Sequence, residues 1–498
     1  MTRRRCLVTG ATGYLGGRLV PELLGAGHAV RCMARTPDRL RHRPWADRVE
    51  TVRGDATDAA SVGAALDGVE VAYYLIHAIG SGRDFEDTDR RAARIFGERA
   101  RAAGVRRIVY LGGLTPVGVP ERELSPHLRS RAEVGRILLG SGVPTAALRA
   151  AVIIGSGSAS FEMLRQLTER LPVMTTPSWV RTRVQPVAVR DVLRVLVGCA
   201  ALPDDVSRTF DLGGPDVVTY QDMMRRYARQ AGLRRRLIVP VPVLTPSLSS
   251  HWVGLVTPVP SRTARPLVES LRHEVVCAER DIERYVPPPD GGFLDLDGAL
   301  RAALRQVAGT APPARPAPGD PQPGDPGWAG GSLYTDRRER AVDTSPAALW
   351  RVMEGIGGAN GWYSAPLAWA ARGWLDTLLG GVGLRRGRPA PGRLRVGDHL
   401  DFWRVEALER ERLLRLRAEM RLPGLAWLEL TVRQDEAGRT VYGQRALFQP
   451  RGLAGHAYWW AVWPFHAWVF GGMVRNITAA AARDDGRAPR GTGRPAPD

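Results

Sequence analysis

Short apolar runs alternate with amphipathic stretches through the first third of the chain. Buried strands of a parallel sheet have continuous apolar sequences, and the helices that connect them carry one apolar face. The alternation therefore predicts an α/β fold of the Rossmann type, a doubly wound parallel sheet with helices on both faces. The strands are expected at residues 6–9, 28–35, 49–53, 69–76, 107–111 and 146–154, and the first helices at 16–24 and 87–103.

A different pattern follows residue 332. Apolar and charged residues alternate along 414–420, which predicts a strand with one buried face. Ser345 and Pro346 are the residue types that favour the N-cap and the first position of a helix. One strand, this helix, four antiparallel strands and a long final helix predict a separate α+β domain. The strands are expected at 338–342, 397–408, 413–420, 426–433 and 440–448, and the final helix at 453–482.

The length of the chain also indicates more than one domain. Its 498 residues exceed what a single hydrophobic core organises. A stretch rich in proline and glycine at 309–331 is typical of a semi-extended linker. We expect a first domain at 1–305, a linker at 306–332, a second domain at 333–484 and a disordered tail at 485–498.

Every one of the 70 basic residues is arginine. The absence of lysine from the sequence excludes a Schiff-base lysine and a Walker-type phosphate-binding lysine. The net charge of +19 favours anionic surfaces. The arginines match no nucleic-acid motif, so we expect no nucleic-acid partner. The four cysteines lack metal-ligand spacing, which predicts no metal site and a reducing, cytoplasmic location.

The turn after the first strand is rich in glycine. Gly10, Gly13 and Gly16 have the spacing of a dinucleotide-binding turn. The first glycine permits the tight turn, the second lets the backbone approach a pyrophosphate, and the third lets the helix pack on the strand. N–H groups at the helix start then point at the phosphates. The alternative is an ordinary turn between strand and helix. The predicted cofactor-binding residues here also include Thr12, Tyr14 and Leu15.

Polar residues after the later strands extend this predicted cofactor site. Arg35 ends the second strand, where an NAD site carries an acidic residue on the ribose 2′-hydroxyl. An arginine suits a 2′-phosphate and favours NADP over NAD, unless Arg35 is simply a solvated residue in an arginine-rich chain. Asp55 is placed to accept a hydrogen bond from an adenine amino group. His77 and Gly112 follow the fourth and fifth strands and are also predicted to bind the cofactor.

Three segments resemble the short-chain dehydrogenase/reductase superfamily, and within it the atypical, NmrA-like NAD(P)H-binding branch. They are the glycine turn at 9–16, the Gly54-Asp55 pair and the Gln-Pro-Val segment at 185–192. The resemblance covers residues 1–305 and implies an NAD(P)-dependent oxidoreductase.

The catalytic pair of that superfamily is absent from this chain. Active members carry Tyr-x-x-x-Lys after the fifth strand; the resemblance implies that the tyrosine transfers the carbonyl proton and the lysine holds the ribose. His127 and Arg131 occupy the two matching positions. Two interpretations stay open. Either His127 is an acid or base near pH 7 and Arg131 holds the ribose, or His127 is a surface residue on a helix without chemistry.

Two uncharged apolar stretches allow more than one interpretation. Residues 237–260 hold five prolines and are expected either to line a pocket over the nicotinamide end or to form a covered loop. Residues 452–474 carry many tryptophans and no formal charge apart from two histidines. This second stretch is a buried final helix, a membrane span or a site of peripheral membrane contact.

The order of elements in the second domain is similar to that of START-like, helix-grip domains, which enclose an apolar cavity. The strings at 357–363 and 419–424 resemble an uncharacterised domain that follows reductase-like modules in bacterial proteins. Two functions remain open. One is an NADP(H)-binding oxidoreductase for a small apolar substrate of the lipid, isoprenoid or quinone class. The other is a non-catalytic NADP(H)-binding sensor or scaffold, which the missing Tyr-x-x-x-Lys pair favours. The oligomeric state stays open.

Overall fold

The computed structural model describes residues 3–41, 43–77, 85–241, 266, 268–308, 333–357, 361–364, 394–435, 437–450 and 452–487. The chain divides into two compact units, Met1–Gly331 and Ser332–Asp498. Most of the predicted linker and tail, and the apolar stretch from residue 242 to 260, lie outside the described residues.

A seven-stranded parallel sheet organises the first unit. Its strands are β1 Arg5–Thr9, β2 Ala29–Ala34, β3 Glu50–Arg53, β4 Val71–Tyr74, β5 Arg107–Gly113, β6 Thr145–Ala150 and, later in the chain, β11 Arg208–Leu212. The strand order is β11-β6-β5-β4-β1-β2-β3. The order changes direction between β1 and β4, and doubly wound sheets bind dinucleotides at the carboxyl ends of the strands at this point. The predicted Rossmann-type fold is confirmed.

Seven helices accompany these strands in the described part of the unit up to residue 241. They are α1 Tyr14–Gly25, α2 Ala59–Leu66, α3 Phe85–Ala102, α4 Pro126–Leu139, α5 Ala159–Arg170, α6 Val189–Gly198 and α7 Tyr220–Gln230. Local chemistry sets where they begin. The Ser125 hydroxyl accepts the Leu128 N–H at the start of α4, and Thr219 and Asp222 form a capping box on α7.

Both faces of the sheet are buried. Val8 and Tyr73 belong to the core that contains α1 and α6, while Leu7 and Tyr74 belong to the core that contains α2 and α3. Successive strand residues point to opposite faces, so β1 and β4 each contribute to both cores. This arrangement explains the continuous apolar runs in the sequence.

Short strand pairs and a further helix form a second cluster in this unit. They are β7 Ile153–Ile154 with β10 Val187–Ala188, β8 Val173–Pro177 with β13 Leu237–Val241, and β9 Arg183–Val184 with β12 Val218–Thr219, together with helix Leu296–Ala308. Helix Ile282–Tyr285 packs in the core of the main sheet instead. Gln185 of the Gln-Pro-Val segment ties the second cluster together. Its buried amide donates to the Gly214 carbonyl (2.7 Å) and accepts the Cys277 N–H (2.9 Å).

The second unit contains a six-stranded antiparallel sheet. Its elements are β14 Tyr334–Val342, helix Pro346–Glu354, β15 His399–Leu400, β16 Trp403–Glu409, β17 Leu413–Ala418, β18 Gly424–Gln434, β19 Thr440–Pro450 and the final helix Gly452–Arg487. The strand order is β14-β19-β18-β17-β16-β15. Leu414 and Leu416 of β17 pack with Met473 and Ile477 of the final helix in one core. The separate α+β domain is confirmed, and its START-like identity stays a prediction.

The final helix contains the tryptophan-rich stretch 452–474. One of its faces is buried in the core of this unit, as one of the three interpretations of the sequence requires. Within the described ranges, no helix has both the length and the hydropathy that crossing a bilayer requires.

Candidate cofactor and substrate site

The glycine turn between β1 and α1 depends on the absence of side chains. Gly10 has a φ of +75°, and a Cβ atom there would lie 2.7 Å from the Leu75 carbonyl oxygen. A Cβ atom on Gly16 would overlap the Gly10 carbonyl. The Gly13 N–H donates to the Gly10 oxygen (2.9 Å) and closes the turn. The chain therefore keeps open the space that a pyrophosphate needs to approach the backbone.

The first turn of α1 has no side-chain cap. Gly13 is its N-cap residue and supplies no side-chain acceptor. The N–H groups of Leu15 and Gly16 in this turn have no acceptor within an α-helix. These groups and the helix dipole suit an anion, so the turn fits the diphosphate of a dinucleotide.

The opposite edge of the cleft carries Arg35 and Asp55. Arg35 directly follows β2 and is exposed. One Asp55 oxygen accepts the Thr57 N–H (2.9 Å) and the Thr57 hydroxyl (2.7 Å). These two hydrogen bonds lower the pKa of Asp55, and the positive charges of Arg35 and Arg91 lower it further. Asp55 is therefore an anion that shapes its own loop, and its predicted bond to adenine stays a prediction.

A cavity of about 230 Å³ lies where β5 and β6 end. Its polar lining includes His77, His127 and Arg131, and backbone of Gly112 borders it. Most of the other lining side chains are apolar, and they include Leu15, Leu114, Met163, Leu164, Leu167, Trp179, Met223 and Met224. Because Leu15 belongs to the start of α1, the cavity adjoins the glycine turn. The arrangement is that of a mainly apolar ligand site with a few polar groups.

Arg131 is fixed by buried partners. One Nη atom forms an ion pair with Asp89 (2.7 Å), and the other donates to the Ile76 carbonyl (3.4 Å). The Ser130 hydroxyl also donates to Asp89 (2.8 Å), and the Tyr110 hydroxyl donates to the Arg131 carbonyl (2.9 Å). Nε of Arg131 is buried and has no hydrogen-bond partner among the described residues. It is one of the Arg131 donors that the described hydrogen bonds leave for a ligand, and its predicted bond to a ribose hydroxyl stays a prediction.

The sequence analysis did not identify Asp89. The signal was present, because Asp89 precedes Ala93 by one helical turn and Phe96 by two on α3, and all three are buried. A carboxylate within an apolar helix face requires a buried partner. That partner is Arg131 on α4, which the pattern of a single helix does not reveal.

His127 lines the cavity and is half-buried. Its Nδ1 atom is buried and has no hydrogen-bond partner in the part of the chain that the structure describes. Desolvation, and then the charges of Arg131 and His77, lower the pKa of His127 to about 3. The imidazole is therefore neutral at pH 7. Both interpretations of His127, as an acid or base near pH 7 and as a residue on a helix without chemistry, stay predictions.

His77 lies beside the same group of charges. Its ring is open to solvent on one side, but the surrounding protein and then the charge of Arg131 lower its pKa to about 4. Both cavity histidines are thus neutral near pH 7. The Nε1 atom of Trp179, on the same cavity, is buried and has no hydrogen-bond partner among the described residues. The sequence analysis had no signal for Trp179, which is brought to the cavity by tertiary packing.

The structure therefore brings several predicted residues together. The residues around one cavity are Leu15, His77, Gly112, His127 and Arg131, while Gly10, Thr12, Gly13, Tyr14 and Gly16 form the adjoining turn. Arg35 and Asp55 lie at a separate edge, after β2 and β3. Within the described residues, no cluster of histidine, cysteine and acidic side chains could hold a metal ion.

Comparisons with known proteins match the two units to different families. Residues 10–151 match a family described as NAD(P)H-binding, and residues 328–473 match a family described as a protein of unknown function (DUF2867). Ceramide reductase of Caulobacter vibrioides is 31% identical over 265 residues, which cover 50% of this chain and 78% of that protein.

Two further relatives match over shorter stretches. Sterol demethylase protein B of Methylococcus capsulatus is 36% identical over 126 residues, 24% of this chain and 38% of that protein. The 3β-hydroxysteroid dehydrogenase/Δ5→4-isomerase of Mycobacterium tuberculosis is 30% identical over 192 residues, 33% of this chain and 50% of that protein. The chain thus spans half or less of the length of these two relatives.

Proposed function

The chain belongs to the NAD(P)H-binding family that includes the ceramide reductase of Caulobacter vibrioides, and from this premise we propose that it is an NADP(H)-dependent oxidoreductase acting on a small apolar substrate. The observation that carries the proposal is the apolar cavity of about 230 Å³, which adjoins the glycine turn and is bordered by Arg131 and His127. Three relatives whose names refer to ceramide, a sterol and a steroid support the substrate class.

The proposed cofactor contacts use the hydrogen-bond donors of α1, Arg35 and Arg131. The first turn of α1 binds the diphosphate, since its N–H groups lack a side-chain cap. Arg35 binds the 2′-phosphate, which selects NADP over NAD. Nε of Arg131 donates to a ribose hydroxyl, and the Asp89 ion pair keeps the guanidinium in position. When bound, NADPH supplies the hydride that reduces a carbonyl carbon of the substrate.

The substrate oxygen also needs a proton during reduction. A neutral imidazole with a pKa of about 3 is a poor proton source at pH 7. His127 would instead hold a water molecule beside the substrate oxygen, and this water would pass a proton from solvent to that oxygen. Arg131 lines the same cavity, but Asp89 already neutralises its charge, so Arg131 acts there as a hydrogen-bond donor and not as a free cation.

A second function is favoured by a specific observation. The Tyr-x-x-x-Lys pair is replaced, His127 is neutral, and Arg131 is held in a buried ion pair. A protein that binds NADP(H) as a sensor or scaffold would need the glycine turn and Arg35, but would need no proton donor.

Native mass spectrometry of the purified chain, followed by denaturing extraction, tests the proposal. We expect to find NADP(H) together with an apolar molecule. NADP(H) alone, even after incubation with long-chain aldehydes, sterol ketones and quinones, supports the sensor. Failure to bind any added dinucleotide contradicts both functions.

A further inference from the structure

The final helix is anchored to its own unit by one face. Trp459, Met473 and Ile477 are 3%, 0% and 0% exposed. The Trp459 ring stacks on Tyr334 with the ring centroids 5.0 Å apart, and on Phe448 at 5.9 Å. These contacts hold the helix along the sheet and fix which of its faces points away from the core.

Large aromatic side chains are exposed on the rest of the helix surface. Trp460, Trp463, Phe465 and Trp468 are 63%, 42%, 61% and 60% exposed. Trp460 and Trp468 are eight residues apart, which is about 2.2 helical turns, so they lie about 80° apart on the side away from the core. Trp463 lies one turn after Trp459 and contacts its ring, at the border of the core. We name these four residues the aromatic face. A cluster of exposed aromatic side chains marks an interaction surface.

The aromatic face is concentrated in one place. Among the described residues of the second unit, the other large apolar side chains that are exposed are Leu333 and Val396. Neither belongs to the final helix. The exposure of the aromatic face is therefore not a general property of this unit's surface.

The aromatic stretch of the final helix carries no acidic residue, and the nearby Asp336 is paired with Arg338 at 3.0 Å. Residues 452–474 contain no arginine, aspartate or glutamate. His466 is neutral near pH 7, because desolvation lowers its pKa to about 4. Arg475 is exposed and lies seven residues beyond Trp468, on the same line of the helix. A Cβ atom on Gly471 would lie 3.2 Å from Nη1 of Arg338 and 3.6 Å from Nη1 of Arg475, so two guanidinium groups flank one end of the face.

We propose that the aromatic face is a membrane-contact surface that binds a bilayer containing anionic lipids. The helix lies parallel to the bilayer surface, with its tryptophans at the depth of the headgroups and Arg475 at the lipid phosphates. Tryptophan is enriched at membrane interfaces, and interfacial helices combine aromatic residues with cationic ones. The net charge of +19 favours an anionic lipid surface over a typical protein surface. The apolar substrate of the proposed function dissolves in the same membrane, and this last argument rests on that function.

Vesicle co-sedimentation of the full chain tests the surface. The vesicles contain phosphatidylcholine alone or mixed with phosphatidylglycerol. We expect the wild type to bind the mixed vesicles, and Trp460→Gln/Trp468→Gln to bind them at least about tenfold more weakly, since two interfacial anchors are lost. Arg475→Gln should weaken binding to the mixed vesicles alone. The matched control is Leu333→Gln/Val396→Gln, which removes two exposed apolar side chains of the same unit and should bind as wild type does.

Three results would overturn the proposal. They are a wild type that does not sediment with vesicles, a tryptophan variant that binds as tightly as wild type, and a wild-type dimer that the tryptophan substitutions convert to a monomer. In the last case a second copy of the chain covers the aromatic face. Circular dichroism verifies that each variant is folded. NADPH affinity should be unchanged in the tryptophan variant, so a failure here is distinguishable from a failure of the proposed function.

Discussion

The Asp89 carboxylate and the Arg131 guanidinium form a 2.7 Å ion pair in which the side chains are only 4% and 6% exposed. The resemblance of the sequence to short-chain dehydrogenases/reductases matches Arg131 to the lysine of their catalytic pair, which implies that a cation is retained at this place. The ion pair neutralises it before any ligand is present. Asp89 thus holds the Arg131 guanidinium in place before a ligand binds. The first test below examines this ion pair.

Asp89→Asn should destabilise the first unit. Loss of the carboxylate leaves the buried Arg131 charge without a counterion, which costs about 3 kcal/mol of unfolding free energy. The matched control is Asp87→Asn on the same helix, because the Asp87 side chain is 74% exposed and pairs with Arg90. That change should cost about 0.5 kcal/mol. Urea unfolding measures both, and equal effects would contradict the role of the buried pair.

Gly16→Ala should abolish NADPH binding or lower the melting temperature. Its Cβ atom would overlap the Gly10 carbonyl, and relief of the overlap must move the turn away from α1. Gly25→Ala is the control in the same helix, since a Cβ atom there meets nothing within 4 Å. Alanine should stabilise that position by about 0.5 kcal/mol. The two variants are compared by thermal unfolding and by titration with NADPH; unchanged affinity in Gly16→Ala would exclude the turn as the phosphate site.

Arg35→Ala should weaken NADPH binding about tenfold while leaving NADH binding unchanged, since only NADPH has the 2′-phosphate that the guanidinium would contact. Arg122→Ala removes an arginine whose side chain is 84% exposed and lies after β5, and it should bind both cofactors as wild type does. Fluorescence titration gives the four affinities. An equal loss for NADPH and NADH would show that Arg35 does not select the cofactor.

The pKa of His127 makes stability depend on pH in one direction. The folded state holds the histidine neutral with a pKa of about 3, while the unfolded chain protonates it near pH 6.5. The free energy of unfolding is therefore unaffected by this histidine above pH 6.5. It falls by up to about 1.4 kcal/mol per pH unit as the pH decreases toward 3, because only the unfolded chain binds the proton. Urea unfolding of wild type and His127→Gln between pH 6.5 and 5 measures this loss. The variant should have the smaller slope, and identical slopes would contradict the low pKa.

The sequence predicts the first sheet well because both of its faces are buried. Mostly apolar runs mark five of its seven strands, and a sixth, Glu50–Arg53, was predicted although it is mostly polar and exposed. The seventh, Arg208–Leu212, was not predicted, because it is short and includes Arg208 and Asp211. Asp211 is buried only because Arg149 pairs with it at 2.6 Å. That partner is on β6, and no local pattern identifies it.

The second unit shows the same limit at a sheet edge. The strand predicted at 338–342 begins at Tyr334 instead. Edge strands are exposed along one side, and the residues from Thr335 to Arg340 are mostly charged, so the apolar pattern is absent. The strand forms because it pairs with β19 over its whole length, which its composition does not indicate.

The candidate site also contains features that the sequence predicts and features that it does not. The glycine turn was predictable because its glycines are required locally: a side chain at Gly10 or Gly16 would clash with nearby backbone. The low pKa of His127 was not predictable, because it depends on desolvation in the folded protein and then on the charges of Arg131, one turn along the same helix, and of His77, which follows β4. Cavity residues such as Trp179 come together only in the folded chain.

Hydride transfer is the central claim, and isotope transfer tests it most directly. The purified chain is incubated with NADPH deuterated at the nicotinamide C4 position and with the apolar molecule that native mass spectrometry identifies, or with the panel of apolar carbonyl compounds. We expect deuterium on the former carbonyl carbon of the product. We also expect His127→Phe to slow the appearance of deuterium while NADPH affinity is unchanged. Bound NADPH without any transfer of deuterium would contradict the oxidoreductase and leave the sensor.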